Sequence, residues 1–181
     1  MDAFGVAVRF AAFLYTKTGA CMKTAVVFYS LDGNCALVAE EIKNLLNADL
    51  IQLHTRDEKK RGKVGKLFWG VGMVFSRRKP PLKPYNFDPS AYGLIVTGAP
   101  VWAGSPAPPI LTFISGAGIA GKKIALFVCH GGGMGDSQKK FKAMLTDNEI
   151  ISEADFQDPV KGDREEVKKR VAQWLKGIEG K

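Results

Sequence analysis

The chain has 181 residues, 46% of them apolar, enough to bury the core of one domain without calling for a second. Its three cysteines, Cys21, Cys35 and Cys129, are odd in number and widely spaced, which argues against a disulfide framework or a structural zinc site and for a reducing, cytoplasmic setting. The net charge of +8 is local: residues 54–83 carry ten basic side chains against Asp57 and Glu58, an excess equal to that of the whole chain, and such an excess speaks to partners rather than to fold.

Residues 1–21 are apolar but interrupted by Asp2, Arg9 and Lys17. Their longest uncharged run, 10–16, falls far short of the roughly 18–20 residues of a membrane-spanning helix, and no basic start precedes a long apolar centre as an export signal requires. Met22 is read as the natural beginning. Residues 1–21 are then an upstream-start artefact or a loosely docked extension, and 22–181 a single domain.

Residues 24–28 are expected as a strand, and the spacing of Val38, Ile42, Leu45 and Leu46 predicts a helix after it. Between them lies Phe28-Tyr29-Ser30-Leu31-Asp32-Gly33-Asn34-Cys35, a strand-to-helix turn. The first amides of a helix point outward with the positive end of its dipole behind them, and small hydroxyl, glycine and amide residues let a phosphate approach. The same residues also suit an ordinary helix N-cap.

Residues 49–53 predict a second strand, ended by His54, which reads as a solvated loop residue. Val64, Leu67, Phe68, Val71, Val74 and Phe75 form a helical stripe, interrupted by Gly65, Gly70 and Gly72, with Trp69 and Met73 beside Lys66 on a face free to touch a partner. Pro80, Pro81, Pro84 and Pro89 end it. The near-continuous apolar run 92–98 predicts a third strand buried on both faces. A turn, Gly98-Ala99-Pro100-Val101-Trp102-Ala103-Gly104, follows, and then a short amphipathic helix carrying Ile110, Leu111, Phe113 and Ile114.

Residues 122–129 predict a fourth strand, broken by Gly131-Gly132-Gly133. Asp136 or Ser137 is placed to cap a helix bearing Phe141, Met144 and Leu145. Residues 149–156 predict a fifth strand. Asp163-Arg164-Glu165-Glu166 opens a last helix whose Val167, Val171, Trp174, Leu175 and Ile178 share a face. Five strands alternating with helices predict a three-layer α/β sandwich with right-handed crossovers.

The turns at Phe28 to Cys35, at Gly98 to Gly104 and at Cys129-His130-Gly131-Gly132-Gly133, taken in that order, resemble those of the flavodoxins, small electron carriers that bind flavin mononucleotide (FMN). The likeness runs from about Met22 to the C terminus. It implies a five-stranded parallel sheet of order 2-1-3-4-5, with a crevice beside the first strand. It further implies that Ser30 and Asn34 are side-chain donors to the phosphate, joined by the backbone N–H groups of Asp32, Gly33, Asn34 and Cys35. In the second turn the indole of Trp102, flanked by Ala99, Pro100, Val101, Ala103 and Gly104, would stack on the isoalloxazine. In the third, the amides of His130, Gly131, Gly132 and Gly133, after Cys129, would reach the pyrimidine edge, where negative charge develops on reduction.

Two positions depart from the family pattern. Asp32 stands where Ser or Thr is common and is expected to turn outward, contributing only its N–H. Cys35 replaces the usual Thr with a weak donor, so the phosphate is expected to be held less tightly. His130 either lies near the flavin edge as a cation or faces solvent. The chain also lacks the acidity of typical flavodoxins, and a cationic neighbourhood would make the reduction potential less negative by favouring the anionic reduced flavin.

The expected function is therefore electron transfer by bound FMN, with redox proteins that present an acidic docking surface as partners. An NAD(P)H-dependent flavin or quinone reductase of the same fold is the alternative, disfavoured because no second dinucleotide fingerprint is present. A further alternative is a basic binding module docking on an anionic partner such as a membrane surface. Neither a nucleic-acid partner nor a metal is expected.

Overall fold

β1 (Lys23–Tyr29) is buried at every position after Lys23, as a strand covered on both faces must be. Its alternation divides the core: Val26 and Phe28 join one apolar cluster, while Ala25, Val27 and Tyr29 join the other. The structure, a computed structural model, describes residues 23–56 and 79–178. The readings made for residues 1–22 and for the helical stripe of 64–75 lie outside the described residues.

α1 (Asn34–Leu46) follows β1, with Val38, Ala39, Ile42 and Leu46 buried at helical spacing. After β2 (Asp49–Leu53) and a single 3₁₀ turn at Pro89–Ala91 come β3 (Tyr92–Trp102) and the two-residue β4 (Ser105–Pro106). α2 (Pro108–Gly116) opens with two prolines, which suit a first helical turn whose N–H groups have no intrahelical acceptor. β5 (Lys123–His130), α3 (Ser137–Lys142), β6 (Glu149–Gln157) and α4 (Arg164–Lys176) complete the order.

The strands lie in the order β2-β1-β3-β5-β6, all parallel, which is the 2-1-3-4-5 arrangement expected of five strands. The sheet has a sixth strand because β4 folds back antiparallel on β3. α1 and α4 cover one face around Phe28, Phe127 and Phe156, and α2 and α3 cover the other around Ile95, Leu126 and Phe113. Trp174 pins α4 to the sheet: its indole N–H donates to Ser152 Oγ at 2.9 Å, and its ring stands edge-on to Phe127 and Phe156. Asp163 caps α4 by accepting the Glu165 N–H at 2.9 Å.

The second turn is the main correction to the sequence reading. β3 does not end at Gly98 but runs to Trp102, and the chain returns through Ala103 (φ 47°) and Gly104 (φ 68°). Positive φ at both central residues of a two-residue connection is the pattern of a type I′ hairpin. Ala99 to Gly104 is thus strand and hairpin tip instead of an open loop, with Val101 opposite Pro106 and Trp102 opposite Ser105.

One close approach holds the middle of the sheet. Gly98 pairs with Phe127, and a Cβ at Gly98 would overlap the Phe127 ring. Gly98→Ala is therefore expected to lower the unfolding free energy by about 1–3 kcal/mol in urea denaturation. Adding Phe127→Leu should return part of that loss; a Gly98→Ala protein as stable as the original would contradict this packing.

Candidate functional site

Because β1, β3 and β5 are parallel and in register, Phe28 beside Gly98 and Pro100 beside Cys129, the segments that follow them leave the sheet at one edge. Three contacts close these segments into a ring. Tyr29 and Trp102 meet edge to face with centroids 5.8 Å apart, joining the first turn to the hairpin. Gly135 (φ 50°) approaches the hairpin tip so closely that a Cβ on it would lie 3.1 Å from Gly104 Cα, and Lys140 Nζ donates to Gly104 O at 2.9 Å.

The third contact was not foreseen. The β6–α4 connection crosses from the third turn to the first: Asp158 N donates to His130 O at 2.9 Å, and Val160 N donates to Asn34 Oδ1 at 3.0 Å. Val160 is 54% exposed and stands 3.7 Å from where a Cβ on Gly33 would be. Asp158 adopts φ 41° and pairs with Lys161 at 3.0 Å. Asp158-Pro159 and Lys161-Gly162 signal a turn in the sequence, but nothing local links it to Asn34.

In the first turn Gly33 (φ 85°) swings the chain into α1 and makes no side-chain cap. A helix leaves its first amides without intrahelical acceptors. Here Ala36 N donates to Ser30 Oγ at 3.3 Å, while among the described residues the N–H groups of Gly33, Asn34 and Cys35 have no protein acceptor. The Ser30 hydroxyl keeps its own proton to donate. Asn34 spends its oxygen on Val160 and keeps both Nδ2 protons. Asp32 is exposed.

Cys35 departs from the sequence reading. Its side chain is fully buried beneath the turn, in the apolar cluster that also holds Cys129. Burial first, and the neighbouring Cys129 second, push the thiol well above its ordinary range. The thiol therefore lies in the core and not at the edge where the sequence reading put it.

Ala99 is fully buried, and its methyl belongs to the core. Pro100, Val101 and Trp102 are half-buried along the rim; Ala103 is exposed at the hairpin tip beside half-buried Gly104. Cys129 is a core residue at 2% exposure. The His130 side chain is only 9% exposed and sits with Nε2 3.3 Å from Asp155 Oδ2, which also accepts from Arg170 Nη2 at 3.3 Å. The ring is held against β6 and does not face solvent, while Gly131, Gly132 and Gly133 are exposed. Among the described residues no cluster of three or more His, Cys, Asp or Glu is arranged to hold a metal ion, and no helix is long and apolar enough to cross a membrane.

No family model matches the sequence, and no curated protein matches it. Solved structures do. A flavoprotein of Bacteroides eggerthii superposes with a TM-score of 0.71 at 22% identity, over 88% of this chain and 99% of that one. A flavoprotein of Lactobacillus acidophilus, solved in complex with FMN, gives 0.66 at 23% identity over 77% and 97%. A flavodoxin of Agrobacterium tumefaciens described as WrbA-like gives 0.53 at 16% identity over 87% and 97%. With strand order, crossovers and these likenesses in agreement, the chain has the flavodoxin-like fold.

Proposed function

We propose that this chain binds FMN at the ringed edge of its sheet and carries electrons between redox proteins. The observation that carries the reading is the group of amides at Gly33, Asn34 and Cys35, which have no acceptor among the described residues, at the start of a 13-residue helix. A phosphate ester fits such a set: N–H donors, the positive end of the helix dipole, the Ser30 hydroxyl, the Asn34 amide protons, and a glycine that puts no side chain in the way. The flavoprotein neighbours, one of them holding FMN, support the choice of ligand.

Bound flavin would supply the redox chemistry. This chain's residues would do the rest. Half-buried Trp102 offers an indole to cover one face of a planar ring and exclude water from it. The exposed amides of the Gly131 to Gly133 turn are donors for a polar ring edge. Asp32 brings a carboxylate to the phosphate turn, while Lys140 and Lys161 stand elsewhere on the ring, against Gly104 O and Asp158. For partners we propose redox proteins with an acidic docking surface. Lys140 and Lys161 support this, as does the basic stretch of residues 54–83, whose flanks Thr55 and Leu82 pair next to the end of β2.

Adding FMN to flavin-free protein is expected to quench flavin fluorescence and shift the visible bands, with FMN bound at least about tenfold more tightly than riboflavin, equivalent to ~1.4 kcal/mol from the phosphate. Ser30→Ala should weaken FMN about five- to tenfold, the worth of one hydrogen bond, and leave riboflavin unchanged. Equal affinities for the two flavins would overturn the phosphate assignment. Asp32→Asn should tighten FMN roughly threefold in the same titration by removing a like charge, an effect that fades as salt is added. Asn34→Ala should speed hydrogen exchange at the Val160 amide in mass-spectrometric mapping; an unchanged rate would mean that the side chain does not hold the β6–α4 connection.

A further inference from the structure

His130 is the last residue of β5, and three glycines follow it. A glycine run offers no side chain by which it can be held and has the greatest backbone freedom, so the third turn is oriented by what grips its two ends. At the far end Gly135 lies against the hairpin tip, where a Cβ on it would stand 3.1 Å from Gly104 Cα. At the near end the grip is on His130. Its carbonyl accepts the Asp158 N–H at 2.9 Å, and its ring, with the side chain 9% exposed, places Nε2 3.3 Å from Asp155 Oδ2. The same carboxylate oxygen accepts from Arg170 Nη2 at 3.3 Å, and the Arg170 guanidinium lies over the Phe156 ring, 5.3 Å from its centroid.

We propose that His130 is a positioning residue for the flavin ring: Asp155 and Arg170 hold its imidazole with the proton on Nε2, and this anchor aims the amides of Gly131, Gly132 and Gly133 at the edge where the isoalloxazine would lie. The inference rests on the FMN reading for its ligand and on the contacts of His130 alone for the anchor. Nε2 faces a carboxylate oxygen that a guanidinium also faces; such an oxygen accepts, so Nε2 donates. Nδ1 is buried and has no partner among the described residues, a setting that suits a bare ring nitrogen better than an N–H. The bond made at one ring nitrogen thus settles which of the two carries the proton.

The anchor spans layers. Asp155 belongs to β6 and Arg170 to α4, so the start of the turn is tied to the edge strand and to a helix at once. The Arg170 side chain is half exposed, and an ion pair so placed adds little stability by itself. Its part is to hold the Asp155 carboxylate in one orientation, with the Phe156 ring beneath the guanidinium restricting the side chain. A ring needed only to fill space would require no polar partner. The hydrogen bond adds a direction, which is what a turn without side chains lacks.

The test reads the anchor without flavin and its consequence with it. In the flavin-free full chain, nitrogen NMR should show the His130 proton on Nε2 and a bare Nδ1, and Arg170→Met should shift the Nε2 resonance although Arg170 bonds Asp155 and not the ring. His130→Leu should move and broaden the Gly131 to Gly133 amide signals, and His130→Gln, whose side-chain nitrogen can stand where Nε2 does, should return them. With flavin added, His130→Leu should weaken FMN and riboflavin by the same factor, about three- to tenfold for one hydrogen bond, leaving their ratio unchanged, and His130→Gln should recover most of the loss. A proton on Nδ1, an Nε2 resonance indifferent to Arg170→Met, or a His130→Gln protein no closer to the original than His130→Leu would each overturn the proposal. Should His130→Leu not fold, His130→Gln and Arg170→Met carry the test. A chain that binds neither flavin would overturn the FMN reading and the ligand named here with it, while the flavin-free signals still decide whether His130 orients the turn.

Discussion

An α-helix cannot bond its own first amides, and at the start of α1, among the described residues, only that of Ala36 finds a protein acceptor, in the Ser30 hydroxyl. The amides of Gly33, Asn34 and Cys35 have no protein acceptor among the described residues. The rest of the molecule can be understood as a scaffold that presents this small set of donors. β1 is buried on both faces, so the chain can expose polar backbone only where the strand ends, and the left-handed Gly33 turns the chain there without a side chain that would cover the amides.

The parallel sheet then adds the other walls. Strands that run the same way release their turns at the same edge, and register brings the ends of β1, β3 and β5 level. Contacts of different kinds join them: an aromatic pair between Tyr29 and Trp102, a glycine-to-glycine approach between the hairpin and Gly135, and two backbone donors from the β6–α4 connection. Each side of the ring rests on an element packed into one of the two apolar cores. Its geometry is therefore fixed by the same burial that stabilises the fold.

Much of this was legible in the sequence because it is local. Periodicity placed β2 at residues 49–53 and the buried face of α4 at Val167, Val171 and Leu175, and the small polar residues after β1 marked the donor turn. The extension of β3 was hidden by Pro100, which lacks a donor and reads as a break; the strand passes through it, and Pro100 O accepts the Ala107 N–H at 3.0 Å. Ala103 at positive φ is an uncommon hairpin residue, so the return through β4 had no signature. The bond from Val160 to Asn34 spans 126 positions, and the burial of Cys35 likewise depends on how α1 lies across the sheet. Side-chain roles fared worst where two residues compete for one atom. Cys35 turned into the core and His130 to Asp155, instead of to the edge.

The measurement that bears most directly on this account is a crystal structure of the protein grown with FMN. The account predicts the phosphate within hydrogen-bond distance of the Gly33, Asn34 and Cys35 amides and the Ser30 hydroxyl, with the ring system between Trp102 and the Gly131 to Gly133 turn. Flavin bound elsewhere on the surface, or a phosphate turned away from the start of α1, would contradict it.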